Sequence, residues 1–128
     1  MRVCVINTQN GLLSGAIAKC LNERGEIQPQ RVLKPADDEI FSTCCCVKPD
    51  ILLMEVNRFP NYTFDERIKI AEKVKKHLPK CKIAFLCDEN SDTELAYRVK
   101  ETKKEGRIDA FFYASVTAEY LTDALDAI

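Results

Sequence analysis

Several things are scarce in this chain of 128 residues. Lys+Arg number 19 and Asp+Glu 20, so neither sign of charge dominates and the formal net charge is -1. That balance argues against a basic nucleic-acid surface. No long apolar run occurs. Met1-Arg2-Val3-Cys4-Val5-Ile6 stops at Asn7 and is too short for a signal h-region or a membrane span. Glycine is sparse, with four residues, and no Gly-x-Gly-x-x-Gly, Walker or Gly-x-Ser-x-Gly pattern is formed. There is one histidine, His77, in a charged helical stretch. Repeats, low-complexity tracts and linker-like stretches are lacking.

Cysteine is abundant instead: Cys4, Cys20, Cys44, Cys45, Cys46, Cys81 and Cys87. The odd count, with no secretory signal ahead of it, points to the cytoplasm and to reduced thiols that behave as small apolar residues. No Cys-x-x-Cys occurs. Helical neighbours in Cys44-Cys45-Cys46 point about 100° apart, so three adjacent thiols cannot converge on one ion. Charge is uneven. Residues 65–107 hold twelve basic and nine acidic residues, and the remainder seven and eleven, which reads as a solvated face.

Short apolar runs alternate with helical stripes. Strands are expected at Arg2–Ile6, Arg31–Leu33, Ile51–Val56, Lys82–Cys87 and Ala110–Ala114. The first helix carries Leu12, Leu13, Ala16, Ile17, Cys20 and Leu21, with Gly25 as its stop. The second starts near Pro35 and Asp37-Asp38, with Ile40, Phe41, Cys44 and Cys45 inward. The third follows Phe64, Ile68, Ala71, Val74 and Leu78 and ends at Pro79. The fourth is Thr93–Lys104, and the last carries Ala118, Leu121, Leu125 and Ile128 behind an N-cap at Thr117. Continuous apolar strands alternating with helices predict one α/β domain over residues 1–128. Its architecture is a doubly wound five-stranded parallel sheet, (βα)5, with its site at the carboxyl ends of the strands.

The element order and three segments resemble the receiver domain of bacterial two-component response regulators. These are the opening Met1–Ile6 strand with two polar residues after it, Pro49-Asp50-Ile51-Leu52-Leu53-Met54-Glu55-Val56, and Phe111-Phe112-Tyr113-Ala114 leading to Thr117–Leu121. The resemblance spans essentially the whole chain and implies a flavodoxin-like, three-layer sandwich in phosphorelay signal transduction. It also implies roles by position. Glu55 stands at the phosphoacceptor, where the family has Asp. Asn7 and Thr8 replace the acidic pair that holds Mg²⁺, and Asn57 matches the carbonyl ligand. Cys87 stands for the switch Thr/Ser, Phe111 for the switch aromatic and Ala114 for the invariant lysine, with Ser115 where proline normally follows.

Mg²⁺ needs hard, preferably charged oxygen ligands, and Glu55 is the sole carboxylate at these positions, with Asp88 off the ligand set. Phosphoryl transfer rests on positioning and charge stabilisation, for which neither an ion nor a lysine remains here. The expectation is a pseudo-receiver, not an enzyme, that binds no cofactor and holds Mg²⁺ at most weakly. Glu55 is then a strand-end carboxylate bonded to Thr8 or a backbone N–H, or a mimic of phosphoaspartate. Phe111 is read as a core aromatic or a switch, and Cys87 as packing. The partner is a protein: a sensor kinase, an output domain of a longer regulator, or a second copy. It meets the face of the fourth helix, fifth strand and fifth helix, through Tyr97, Lys100, Lys104, Phe112 and Tyr120. One alternative is a phosphorylatable receiver with an atypical site. Another is a flavodoxin-like binder of a flavin or nucleotide at Asn7-Thr8-Gln9-Asn10-Gly11, although that loop has a single glycine.

Overall fold

Strand residues of this chain alternate between two apolar layers, and that alternation sets the architecture. In the computed structural model, which describes residues 1–34, 37–87 and 93–128, ten elements follow one another. They are β1 (Arg2–Asn7), α1 (Gly11–Arg24), β2 (Ile27–Arg31), α2 (Asp37–Val47), β3 (Ile51–Glu55), α3 (Phe64–His77), β4 (Lys82–Cys87), α4 (Thr93–Lys104), β5 (Ala110–Tyr113) and α5 (Ala118–Asp126). Every strand pair is parallel, in the order β2-β1-β3-β4-β5. Leu52, Met54, Ile83 and Phe85 face a core shared with Ile40, Ile68, Val74 and Val99 of α2, α3 and α4. Ile51, Leu53, Ala84 and Leu86 face the opposite core, with Ile17, Leu21, Leu121 and Leu125 of α1 and α5. Both faces of the central strands are covered, which is why their sequences read as unbroken apolar runs.

Helix ends follow from local chemistry. Asn10 caps α1 through Leu12 N and Leu13 N, and Gly25 ends it at φ 74, a left-handed conformation suited to glycine. Thr63 and Thr117 cap α3 and α5. The strand order reverses between β1 and β3, and the loops there form the crevice in which α/β sheets place their sites.

Five expectations need correction. The second strand is Ile27–Arg31, four residues earlier than Arg31–Leu33. It is an edge strand with one fully buried side chain, Ile27, so the apolar pair Val32-Leu33 misleads, and Leu33 is 72% exposed. Its Pro29 is tolerated because the strand pairs on one side only. Leu12 does not join the helical stripe. It is 86% exposed on the first turn of α1, whose buried face is Ser14, Ile17, Ala18 and Leu21. Cys45 is exposed, because the inward line of α2 runs through Ile40 and Cys44. Cys20 is half-buried and not sealed in the core. The third and fifth strands each end one residue before the expected limit, although Val56 N and Ala114 N still bond the neighbouring strand. The expected helix start at Pro35 lies outside the described residues.

Asp109 fastens β5 to β4. Its Oδ2 accepts from Ile83 N at 2.8 Å and pairs with Lys75 Nζ at 2.8 Å, while its own N–H donates to Ile83 O. Burial opposes its charge, but the Lys75 and Ile83 hydrogen bonds and the charges of Lys75 and Lys82 hold its carboxyl below the usual range. A depressed carboxyl contributes stability above its unfolded pKa of about 4, lost as pH falls through the folded value. Asp109→Asn is therefore expected to cost about 1–2 kcal/mol at neutral pH and progressively less as pH falls through the depressed folded value, in urea unfolding across pH. A pH-independent loss would contradict this linkage.

The thiols give a second check. Cys4, Cys44, Cys81 and Cys87 are buried. Burial pushes Cys44 up to about 12 and Cys81 up to about 11, and raises Cys4 as well. Under a thiol reagent the exposed Cys45 and Cys46 should react first, Cys20 more slowly, and the buried four only on unfolding. Rapid native labelling of Cys87, read by mass spectrometry, would show that the core is open there.

Candidate functional site

The carboxyl ends of β1 and β3 bring Asn7, Thr8, Glu55 and Asn57 to one edge of the sheet. Thr8 is nearly buried, and its hydroxyl donates to Asn10 O at 2.6 Å, which closes the β1–α1 loop on itself. Gln9 joins the two loops. Its N–H donates to Glu55 Oε1 at 2.6 Å, and its side-chain Oε1 accepts from Asn57 Nδ2 at 3.0 Å. Of the two partners expected for Glu55, the backbone N–H is the one found, and it belongs to Gln9.

The loop between β3 and α3 is folded back by its own polar groups. Asn57 N donates to Tyr62 O, Tyr62 N to Phe59 O, and Phe59 N to Asn57 Oδ1. Asn61 takes φ 75, and its N–H donates to Glu66 Oε1, which also accepts from the Thr63 hydroxyl. Thr63 Oγ1 in turn accepts from Glu66 N, which caps the start of α3. The result places the Tyr62 ring inward, over the first turn of that helix.

Under Tyr62 lies a charge absent from the expected site. Arg67 is 0% exposed. Its Nη2 donates to Asn7 Oδ1 at 2.5 Å, and its guanidinium carbon stands 4.5 Å from the Tyr62 ring centroid. Nε and Nη1 have no hydrogen-bond partner among the described residues. Burial pulls its pKa down to about 10, against the pull of Tyr62, Glu55 and Glu66, so it is a cation at neutral pH. Asn7 is fully buried too, and its Nδ2 donates to Val32 O at 2.8 Å and Lys34 O at 3.1 Å. The signal for Arg67 was present in the sequence. It stands three residues after Phe64 and four before Ala71, on the apolar stripe of α3, where an arginine is out of place.

The other expected positions lie further along the sheet. Cys87 is buried at the end of β4, and its carbonyl accepts from Ala114 N at 2.8 Å. Ala114 packs against the α1–α5 core. Phe111 is half-buried, edge-on to Tyr113 at 5.7 Å between centroids, with Lys103 Nζ 5.8 Å from its ring. Asp88 lies outside the described residues. A cleft of about 360 Å³ opens beside the β3–α3 loop. Its charges are already matched: Arg98 donates to Asp65 and covers the Phe64 ring, and Arg58 faces Glu94 at 3.9 Å.

The fit to Mg²⁺ is poor on this chain's own atoms. The ion needs several hard oxygens in near-octahedral array. Asn7 Oδ1 faces a guanidinium, Thr8 Oγ1 is committed to Asn10 O, and Glu55 Oε1 accepts from Gln9 N. Among the described residues no group of three or more His, Cys, Asp or Glu is placed to hold a metal ion.

No protein-family model matches the sequence, and no curated protein matches it. Solved structures match over the fold. A CheY-like response regulator receiver domain protein from Methanospirillum hungatei superimposes with a TM-score of 0.77 at 12% identity, covering 99% of this chain and 92% of that one. A LuxR-family DNA-binding response regulator from Staphylococcus aureus does so with 0.75 at 16%, covering 99% and 98%. A structure described as a novel family of redox sensors in the streptococci, evolved from two-component response regulators, gives 0.78 at 16%, covering 99% of this chain and 50% of that one. The chain has the receiver fold, and at such identities the chemistry is argued from its own residues.

Removing the one partner of a buried cation is costlier than removing the cation. Asn7→Ala strips Arg67 of this hydrogen bond and is expected to destabilise by about 2–3 kcal/mol. Arg67→Met leaves a neutral amide oxygen unpaired and should cost less, about 1–3 kcal/mol. In urea unfolding the double variant should fall well short of the sum. An Asn7→Ala variant within about 1 kcal/mol of the native chain would show that the guanidinium does not depend on this bond.

Proposed function

We propose that this receiver-fold domain works in two-component signal transduction as a degenerate receiver, a protein-interaction module that acts without phosphorylation. The observation that carries the reading is the Arg67–Asn7 bond, which commits the ligand-equivalent oxygen to an internal cation. Three further features support it. Glu55 is already bonded to Gln9 N, the switch hydroxyl is replaced by the buried Cys87, and the lysine position is Ala114. A phosphoryl group at Glu55 would meet neither a hydroxyl to draw across nor a lysine to pair with. Loss of phosphorylation has a precedent in kind, because one structural neighbour is described as a redox sensor evolved from response regulators.

Partners are assigned to the face of α4, β5 and α5. Tyr97 and Tyr120 are 64% and 59% exposed there, Lys100 and Lys104 are exposed, and Phe112 is half-buried. Exposed tyrosines with lysines around them suit a protein contact of modest area, with a sensor kinase, an output domain or a second copy. The cytoplasm is the assigned compartment, on the basis of the reduced thiols, and no helix among the described residues is long and apolar enough to cross a membrane. Binding of a flavin or nucleotide at the first loop is disfavoured. Three N–H groups that a phosphate would draw on are already engaged, Gln9 N by Glu55 and Leu12 N and Leu13 N by Asn10.

The test is a two-dimensional amide NMR spectrum with and without beryllofluoride and Mg²⁺. The expected result is a spectrum that does not change beyond the β3–α3 loop. Shifts that reach Phe111 and α4 would show a working phosphoacceptor, and this reading would be lost to the atypical receiver.

A further inference from the structure

We infer that Arg67 is a tethered cation that takes the place of a divalent ion at the strand-end site, so that the chain excludes the metal by occupancy and not only by lacking acidic ligands. The inference deepens the degenerate-receiver reading and rests on it for the identity of the site. Its physical basis is local. The guanidinium reaches from the first turns of α3 to Asn7 Oδ1, an oxygen sixty residues away on a residue that stands where a receiver has one of its acidic pair. It is sealed from water by the Tyr62 ring and by a loop that closes through Asn57, Asn61 and Glu66. Two cations in that space would repel strongly, because water that would screen them is excluded.

Arg67 is also poised to defeat a repaired site. Among the described residues its Nε and Nη1 donors are unpartnered, so a carboxylate placed at position 7 would meet a guanidinium that already reaches that position and has donors to spare. An Asp introduced there becomes the partner of Arg67 before it becomes a ligand of an ion. A guanidinium is a weakly hydrated, planar cation and remains charged at neutral pH. A metal arriving from solution must displace it and shed its own water, whereas the tethered group needs neither step.

The experiment restores the acidic pair with and without the arginine and uses Mn²⁺ as the probe, read by the electron paramagnetic resonance of free ion. The two chains are Asn7→Asp/Thr8→Asp and the same pair combined with Arg67→Met. The acidic stretch at 88–92 is common to both and supplies the background, which the native chain measures. The triple variant is expected to bind Mn²⁺ at least about tenfold more tightly than the double. Anything less overturns the inference, since an arginine with a packing role alone would leave the affinity of the acidic pair unmoved. A second measurement covers a triple variant that fails to fold. In the native chain the Arg67 Nε–H resonance should be protected from exchange and unmoved by millimolar Mg²⁺. A shift or loss of that signal on adding Mg²⁺ means the ion displaces the guanidinium, and the inference fails. These results are separable from the beryllofluoride test. A silent beryllofluoride spectrum with no Mn²⁺ gain removes the role of Arg67 and leaves the degenerate receiver standing.

Discussion

A guanidinium with no exposure to solvent has to be held by something, and in this protein what holds it also organises the loops around the site. Arg67 is bonded to one neutral oxygen, Asn7 Oδ1, and covered by one aromatic ring, Tyr62. The ring is a near neighbour in sequence, but the oxygen is sixty residues away. The oxygen comes from the end of β1, and the ring comes from a loop that turns back on itself ahead of α3. The bond therefore ties the first strand, the third loop and the third helix into one arrangement. Asn7 extends the tie to the edge of the sheet, by donating to Val32 O and Lys34 O beyond β2.

The electrostatics of the site follow from that arrangement. One buried cation lies near one half-buried carboxylate, and Glu55 helps to hold Arg67 in its charged form. The carboxylate has its own donor in Gln9 N, and Gln9 in turn accepts from Asn57. Charge here is compensated inside the protein. A receiver that works by phosphoryl transfer needs the reverse, a concentration of negative oxygen that an external cation neutralises and a phosphoryl group then perturbs. Away from this edge, the face of α4, β5 and α5 keeps Tyr97 and Tyr120 exposed.

What was legible in the sequence was the part governed by period and burial. β4 and α4 fall where their patterns place them, and β3 misses by one residue, because unbroken apolar runs and helical stripes depend only on neighbours along the chain. β2 was misplaced because an edge strand buries little and leaves a faint pattern. Leu12 and Cys45 were assigned inward on helical spacing, and the helix orientations turned them out. At the site, the positions Asn7, Thr8, Glu55 and Asn57 were found by their place after strands, and the structure does gather them. Gln9 was passed over, since its part is played by a backbone N–H and an amide that no pattern marks.

The sequence by itself determined the alternation of strand and helix, the two-faced burial of the sheet and the absence of acidic metal ligands after β1, all of which are properties of residues and their near neighbours. Only the tertiary structure decided what stands in the space those ligands would have served. The arginine at position 67 reads as an anomaly on an apolar stripe until the parallel sheet brings Asn7 alongside it, sixty residues away in the chain. A periodicity argument can say that such a residue is buried. Which oxygen it meets, and that its charge is kept there, depends on the crossover that sets α3 against the ends of β1 and β3.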